Sequence, residues 1–443
     1  MTGANFLLDT GEKNILIDCG ALEREHPGAN KCDTENVKAF SYDPSSIDIL
    51  FVTHAHQDHI GRVPKLVRDG FRGVIYSTPA THDLSAVMFE DALSIMGRDQ
   101  EQHGCVPMYD KENVERALSL WKTVEYHELF TIADATVELL DAGHILGSAM
   151  VKLSRNERTI IFTGDIGNSP EPLLNDVESA SGANYLVMES VYGDRMHEDR
   201  STRRELLKSA VEEALRKHGT LLIPSFSIER TQVLLFELHK MIDAKEIPPI
   251  PVYLDAPLAI KVTGVFEKYK NELKKEAQEA FASGQDPFEF PMLTETPLAA
   301  DSTHIHTKPD PKIIIAGAGM SSGGRVRSHE KRYLSDKKAT VLLVGYQAPG
   351  SLGRRIADGQ RNVTIDGENI QMNAHVISLT GYSGHADRDQ LLAFAESAGD
   401  SLEETFVVMG EPRASAFLAQ RIKDFLGVEA LVPATGDSIS IEW

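Results

Sequence analysis

The segment Thr53-His54-Ala55-His56-Gln57-Asp58-His59 gathers three imidazoles and a carboxylate within a few consecutive positions. Nitrogen and carboxylate donors crowded together in this way are the chemistry of a zinc site, because something positive must offset the cost of assembling them. The cluster follows the apolar run Ile47–Val52, and an extended chain sends alternate side chains to one side, so His54 and His56 can grip one ion. Asp58 and His59 lie past the bend and can reach a second. Two further candidates are His144, in Asp141-Ala142-Gly143-His144-Ile145-Leu146-Gly147-Ser148, and Asp165, in Phe162-Thr163-Gly164-Asp165-Ile166-Gly167. Each alone is more often a turn residue; their weight comes from agreement with the histidine cluster. Asp18, in Ile17-Asp18-Cys19-Gly20, is an ordinary turn residue or the acceptor for a ligand histidine's free N–H.

These residues need a scaffold, and the first 190 residues supply short β-branched runs: Asn14–Ile17, Ile47–Val52, Val137–Leu140, Thr159–Phe162 and Tyr185–Met188. Four of the runs end directly in a chemistry-bearing group, namely Asp18, the His54 cluster, Asp165 and Glu189, which predicts a site along one sheet edge. Glu112–Lys122 has helical spacing. From about residue 195 strands and helices alternate. Thr202 and Glu205 suggest a capping box, and a helix is expected from Glu229 to Ala244. The strands Leu221–Ile223, Val252–Leu254, Lys312–Ala316 and Thr340–Val344 predict a mostly parallel sheet. Gly284–Pro311, with five prolines, reads as a surface loop. Beyond about residue 375 come a strand, a histidine loop, a helix from Asp387, the strand Thr405–Val408 and a closing helix.

The series Asp18, His54-x-His56-x-Asp58-His59, His144 and Asp165 resembles the metallo-β-lactamase fold. The rest of the chain resembles its nucleic-acid-processing branch, the β-CASP nucleases. The matching segments are Glu189-Ser190-Val191-Tyr192-Gly193-Asp194-Arg195, Ile223-Pro224-Ser225-Phe226 and Val252-Tyr253-Leu254-Asp255-Ala256-Pro257. Gly323-Gly324-Arg325, Val344-Gly345-Tyr346-Gln347 and Ser383-Gly384-His385-Ala386-Asp387 continue the string. The resemblance implies an α/β protein, an αββα metallo-β-lactamase sandwich with an inserted α/β β-CASP cap. Residues 1–194 and 375–443 would form the sandwich and 195–374 the cap, with the active site in the cleft between them.

By the same resemblance, His54, His56, His144 and Asp165 hold one Zn2+, while Asp58, His59 and a bridging Asp165 hold a second. Asp58, His385 and Glu189 are the catalytic residues. Water activated between the ions attacks phosphorus, His385 gives a proton to the leaving oxygen or binds the phosphate, and Glu189 orients it. The alternative reading on residues alone is a satisfied buried histidine for His385 and a turn cap for Glu189. The implied activity is a zinc-dependent phosphodiesterase, an endonuclease, a 5′-exonuclease or both, acting on single-stranded RNA. One departure matters: where the RNA-processing enzymes carry a zinc-ligand histidine, this chain reads Val408-Met409-Gly410-Glu411. A neutral thioether is a poor zinc ligand, so the expectation is one tight zinc and a second that is weak or incomplete. DNA-processing relatives carry valine there, which keeps DNA open as substrate. A second departure is the start at Met1-Thr2-Gly3, where family members have a further strand.

Small residues before a helix present free N–H groups to phosphate, and Gly317–Gly324 precedes a predicted helix. Ser321, Ser322, Gly323, Arg325, His329 and Arg354 are therefore the expected substrate contacts. Against this stands the charge: 45 Lys and Arg against 66 Asp and Glu, a net of −21, over 443 residues. Weak, salt-sensitive nucleic-acid binding confined to a basic strip follows. No apolar run reaches the ~20 residues that span a bilayer, and no membrane partner is expected. Cys19, Cys32 and Cys105 are too few and scattered for a disulfide framework, which suggests a reducing cytoplasm. A homodimer is compatible with all of this. Two competing classes are a lactamase-fold hydrolase of small esters or thioesters and an RNA-binding scaffold that has lost turnover.

Overall fold

The computed structural model describes residues 3–22, 32–198 and 202–443. The chain forms two compact units, one of Met1–Met196 with His385–Trp443 and the other of His197–Gly384.

The first unit begins with a five-stranded sheet in sequential order: β1 (Phe6–Asp9), β2 (Asn14–Ile17), β3 (Ile49–Phe51), β4 (Val74–Ser77) and β5 (Trp121–Thr123). β1 and β2 are antiparallel and the remaining pairs parallel. A second sheet follows from β6 (Phe130–Ile132), β7 (Ala135–Asp141), β8 (Ala149–Arg155), β9 (Arg158–Phe162) and β10 (Tyr185–Glu189). Ile15, Ile17 and Phe51 of the first sheet share one core with Val137, Leu139, Val151, Ile160 and Phe162 of the second, so the sheets pack face to face. Alternation along β7 and β8 delivers the other face: Leu140, Met150, Ile161, Leu186 and Met188 pack on Leu391, Phe394, Leu418 and Ile422. Those four come from the helices Arg388–Glu396 and Pro412–Leu426.

The second unit carries β11 (Thr220–Pro224), β12 (Val252–Asp255), β13 (Leu293–Glu295), β14 (Lys312–Ala316), β15 (Thr340–Val344), the hairpin of β16 (Asn362–Ile365) and β17 (Glu368–Gln371), and β18 (His375–Leu379). Its six-stranded sheet runs β13-β12-β14-β11-β15-β18 and every pair is parallel. All five residues of β11, β14 and β15 are buried, the continuous apolar pattern of strands covered on both faces. The chain then closes the first unit's second sheet with β19 (Glu404–Val408), parallel to β10, and β20 (Glu429–Leu431).

Several expectations need correction. The return to the first unit comes at His385 and not at residue 375, because β18 pairs with β15. The helix read as Glu112–Lys122 stops at Ser119, since Trp121–Thr123 pairs with β4. Gly284–Pro311 is not structureless: β13 and the helix Ala299–Ile305 lie within it. Thr202 makes no side-chain cap. Cys32 and Cys105, distant in sequence, are joined as a disulfide, against the reading from cysteine number, while Cys19 is free and buried. Among the described residues no helix is long and apolar enough to cross a membrane.

Candidate metal centre

Asp18 follows β2 with a left-handed backbone, φ 60°. That geometry turns its buried carboxylate toward the end of β3, where Oδ1 accepts the Thr53 N–H at 2.8 Å and Oδ2 accepts the Thr53 hydroxyl at 2.8 Å. The same oxygen takes the Nδ1–H of His59 at 2.7 Å. Holding that proton leaves the His59 Nε2 lone pair facing the interior. His59 sits in the short helix Gln57–Ile60, whose N-cap is His56, so one turn presents both sides of the motif.

His144 is held by Ser148, whose Oγ accepts the backbone N–H of His144 at 3.0 Å. Its loop meets the Asp165 loop backbone to backbone: a Cβ on Gly167 would lie 1.9 Å from the Gly143 carbonyl oxygen. Asp165 is thereby brought beneath the histidines, as expected of a group at the end of β9.

His54, His56, His144 and Asp165 offer one ligand atom each to a common point, as do Asp58, His59 and Asp165. In the first group His56 Nδ1 lies 3.1 Å from His54 Nε2 and 3.2 Å from His144 Nε2. Asp165 Oδ2 lies 3.5 Å from the first of those Nε2 atoms and 3.6 Å from the second. Ligands about 2.0–2.1 Å from a tetrahedral zinc stand about 3.3 Å apart, so the donor set fits that ion. In the second group His59 Nε2 and Asp165 Oδ1 are 3.3 Å apart, buried, and without a hydrogen-bond partner. A buried imidazole nitrogen and a carboxylate oxygen left facing each other without a hydrogen bond fit a cation position.

The electrostatics separate the two groups: the histidines of the first are neutral, whereas without a cation His59 carries a proton that a metal ion would displace. Burial holds His54 well below the usual imidazole range and brings His56 down to about 4, so both are neutral donors. Burial opposes charge on His59, but the Asp165 and Asp18 carboxylates outweigh it and raise the group well above the ordinary value. A third group joins the same carboxylate: Asp165, Glu189 and His385. Glu189 is fully buried, accepts the Ile166 N–H at 2.6 Å, and takes the His385 Nδ1–H at 3.2 Å. Although burial opposes it, this pairing raises His385 to about 9. Met409 follows Val408, the residue opposite Glu189, and is left-handed with φ 58°.

The expected substrate contacts fare differently. In the second unit Arg325 donates to Asp255 at 2.7 Å and to the carbonyls of Thr296 and Pro297 at 2.5 and 2.8 Å. His329 is fully buried and donates Nε2–H to Asp255 at 2.7 Å. Ser321 is fully buried with its hydroxyl on Glu330. Arg325 and His329 thus share the Asp255 carboxylate and Ser321 turns to Glu330, so all three side chains are engaged within the unit, Arg325 remaining half-buried. Ser322 is exposed, Gly323 half-buried, and Arg354 partly exposed beside Asp358 at 2.9 Å. Arg327 and Lys331 of the basic stretch are paired with Asp366. Sequence reasoning missed Thr53 and Ser148 as positioning groups, although both stand within the quoted motifs, and missed Glu330 altogether.

Residues 2–225 match the metallo-beta-lactamase superfamily, 231–356 the Beta-Casp domain, and 369–433 the Zn-dependent metallo-hydrolase RNA specificity domain. The chain is 34% identical to ribonuclease TTHA0252 of Thermus thermophilus over 442 residues, covering all of this chain and 95% of that one. It is 31% identical to the transcription termination factor FttA of Methanosarcina mazei, over 96% of this chain and 67% of that one. A solved structure of a protein of unknown function from Enterococcus faecalis shares the fold, with a TM-score of 0.58 at 12% identity, covering 98% of this chain and 96% of that one. A buried histidine and aspartate centre at the edge of two packed sheets, with matches of this extent, means that the chain belongs to the metallo-beta-lactamase superfamily, in the branch with Beta-Casp and RNA-specificity segments.

Proposed function

We propose that the chain is a zinc-dependent phosphodiesterase that hydrolyses RNA. The observation that carries this reading is the convergence of two ligand groups and the His385–Glu189 pair on the single carboxylate of Asp165. His54, His56, His144 and Asp165 would hold one zinc, and Asp58, His59 and Asp165 the other. Zinc there supplies Lewis-acid stabilisation of phosphate charge and brings water's pKa to near ~7. The chain's own residues do the rest. Asp18 and Thr53 orient His59, Ser148 orients His144, and Glu189 holds His385 with Nε2 turned away from Glu189 as a proton donor for the leaving oxygen. Asp58 stands with the second group, where its carboxylate helps to position the attacking water. The second group contains only three of these side chains, and Met409 offers a thioether in place of an imidazole, so one zinc binds tightly and the other weakly. The family's RNA-specificity segment and the ribonuclease relative support RNA over DNA.

The test uses end-labelled single-stranded RNA and DNA with the full chain. Cleavage of RNA by wild type, its loss in Asp58→Ala and its increase in Met409→His are expected. Equal inactivity of wild type and Asp58→Ala on both substrates would favour the scaffold reading.

A further inference from the structure

Glu330 is unused by the chemistry above, yet it is a fully buried carboxyl in the second unit. It lies on the helix Val326–Tyr333, beneath the loop Gly317–Gly324. Its Oε1 meets the hydroxyl of Ser321, and its Oε2 is buried without a hydrogen-bond partner. Ser321 is itself fully buried and left-handed, with φ 58°. A non-glycine residue in that region carries a backbone cost, so its side-chain bond to Glu330 helps hold the conformation in place. Ser321 N–H also donates to Ala318 O at 3.0 Å, and Gly353 N–H donates to Met320 O at 3.0 Å. Gln347 Nε2 donates to Gly319 O at 3.1 Å. The loop is thus fastened from one side by backbone and amide bonds and from the helix beneath by Glu330 at Ser321 and by Arg327, whose Nη1 donates to the Ser322 carbonyl at 3.3 Å.

Burial and the neighbouring Asp366 carboxylate disfavour an ionised form and outweigh the Ser321 hydroxyl bond and the Arg327 charge, which favour one. Arg327 stands on the same helix, but its Nη2 is committed to Asp366 at 2.7 Å. Asp366, at the β16–β17 turn, presents a like charge to Glu330, and Lys331 is drawn off to Asp366 and Glu368. The loop itself contributes only the Ser321 hydroxyl. Burial carries the balance to the neutral carboxyl, which sits in the site without a charge, whereas a carboxylate there keeps an unsolvated charge on its second oxygen.

We propose that Glu330, in its neutral form, is the positioning residue that locks the Gly317–Gly324 loop, and that its ionisation releases the loop and weakens RNA binding. The second half rests on the reading that this loop, through Ser322 and Gly323, contacts the RNA backbone. Burial raises the Glu330 carboxyl to about 8, which puts the release at the alkaline edge of the physiological range.

The experiment compares full-length wild type with Glu330→Gln, which stays neutral at every pH, and Ser321→Gly, which suits the left-handed backbone but lacks the hydroxyl. Amide hydrogen exchange of the loop, corrected for intrinsic rates, and KM against kcat for single-stranded RNA are followed from neutral to alkaline pH. In wild type alone, loop protection is expected to fall and KM to rise several-fold through about pH 8, with kcat changing in parallel in wild type and Glu330→Gln. Ser321→Gly is expected to be loose at every pH. Parallel loss of protection in wild type and Glu330→Gln overturns the lock. Loss of protection in wild type alone with an unchanged KM overturns the loop's part in RNA binding and leaves the lock standing.

Discussion

Replacing Asp18 by Asn inverts the hydrogen bonding behind His59 without changing volume. Asn tolerates the left-handed backbone at this position better than most residues, so the φ of 60° adds little cost. Its Oδ1 still accepts the Thr53 N–H, but an amide N–H now faces both the Thr53 hydroxyl and His59 Nδ1. To avoid two donors meeting, His59 must move its proton to Nε2, the atom that points at Asp165 across 3.3 Å. The metal-facing lone pair is lost. In the metal-free protein the imidazolium also loses one of its two carboxylate partners. At roughly 1.5–3 kcal/mol per hydrogen bond to a charged group, the variant is expected to be about 2–4 kcal/mol less stable in urea with chelator present. Loss of an outer partner of a ligand histidine weakens metal binding by roughly 10–100-fold, equivalent to about 1.4–2.7 kcal/mol. A competition titration against a chromophoric chelator reads this directly. An Asn variant with wild-type zinc affinity and a folded far-ultraviolet spectrum would refute the claim that Asp18 sets the His59 tautomer.

Gly167→Ala should abolish zinc retention while leaving the second unit intact, because its Cβ would sit 1.9 Å from the Gly143 carbonyl oxygen and force the His144 loop away. Metal analysis after dialysis checks it; full retention would mean that the two loops can separate without harm. Glu330 makes a distinct prediction about stability. The folded carboxyl keeps its proton to about pH 8, whereas the unfolded one releases it near 4.5, so stability is highest below 4.5, declines as pH rises between those values and is flat above. Glu330→Gln lacks this slope and should gain on wild type across the window by at most about 5 kcal/mol. Denaturation midpoints that shift in parallel for both proteins would count against it.

The buried histidine and aspartate cluster was legible because its residues announce their chemistry by type and because the His54 cluster, Asp165 and Glu189 follow or end apolar strands. His54, His56, Asp58 and His59 need only one turn to converge, and the turn is local. His144, Asp165, Glu189 and His385 are distant in sequence, yet each sits beside glycine or at a strand end, where little else competes for the reading. The pairings of the second unit's polar residues were not legible for the opposite reason. Arg325, His329 and Ser321 look solvent-facing in a basic, glycine-rich stretch, and their partners are Asp255, about seventy positions earlier, and Glu330, one helix later. Nothing local tells a buried pair from an exposed one. Short strands were lost similarly: Trp121–Thr123 continues a helical pattern, and Leu293–Glu295 is an edge strand defined only by its pairing with β12. The pairing of Cys32 with Cys105, 73 positions apart, has no local signature either.

Asp165 belongs to all three groups at the centre. Under mutational drift this makes the position a bottleneck, since a change that relaxes one task disturbs two others at once and no partial loss can be selected. Met409 stands at the opposite extreme. On the proposed reading an imidazole there would serve the second group alone, and a thioether in its place leaves the four-donor group and the His385–Glu189 pair as they are. A substitution at position 409 is therefore expected to be tolerated where one at Asp165 is not.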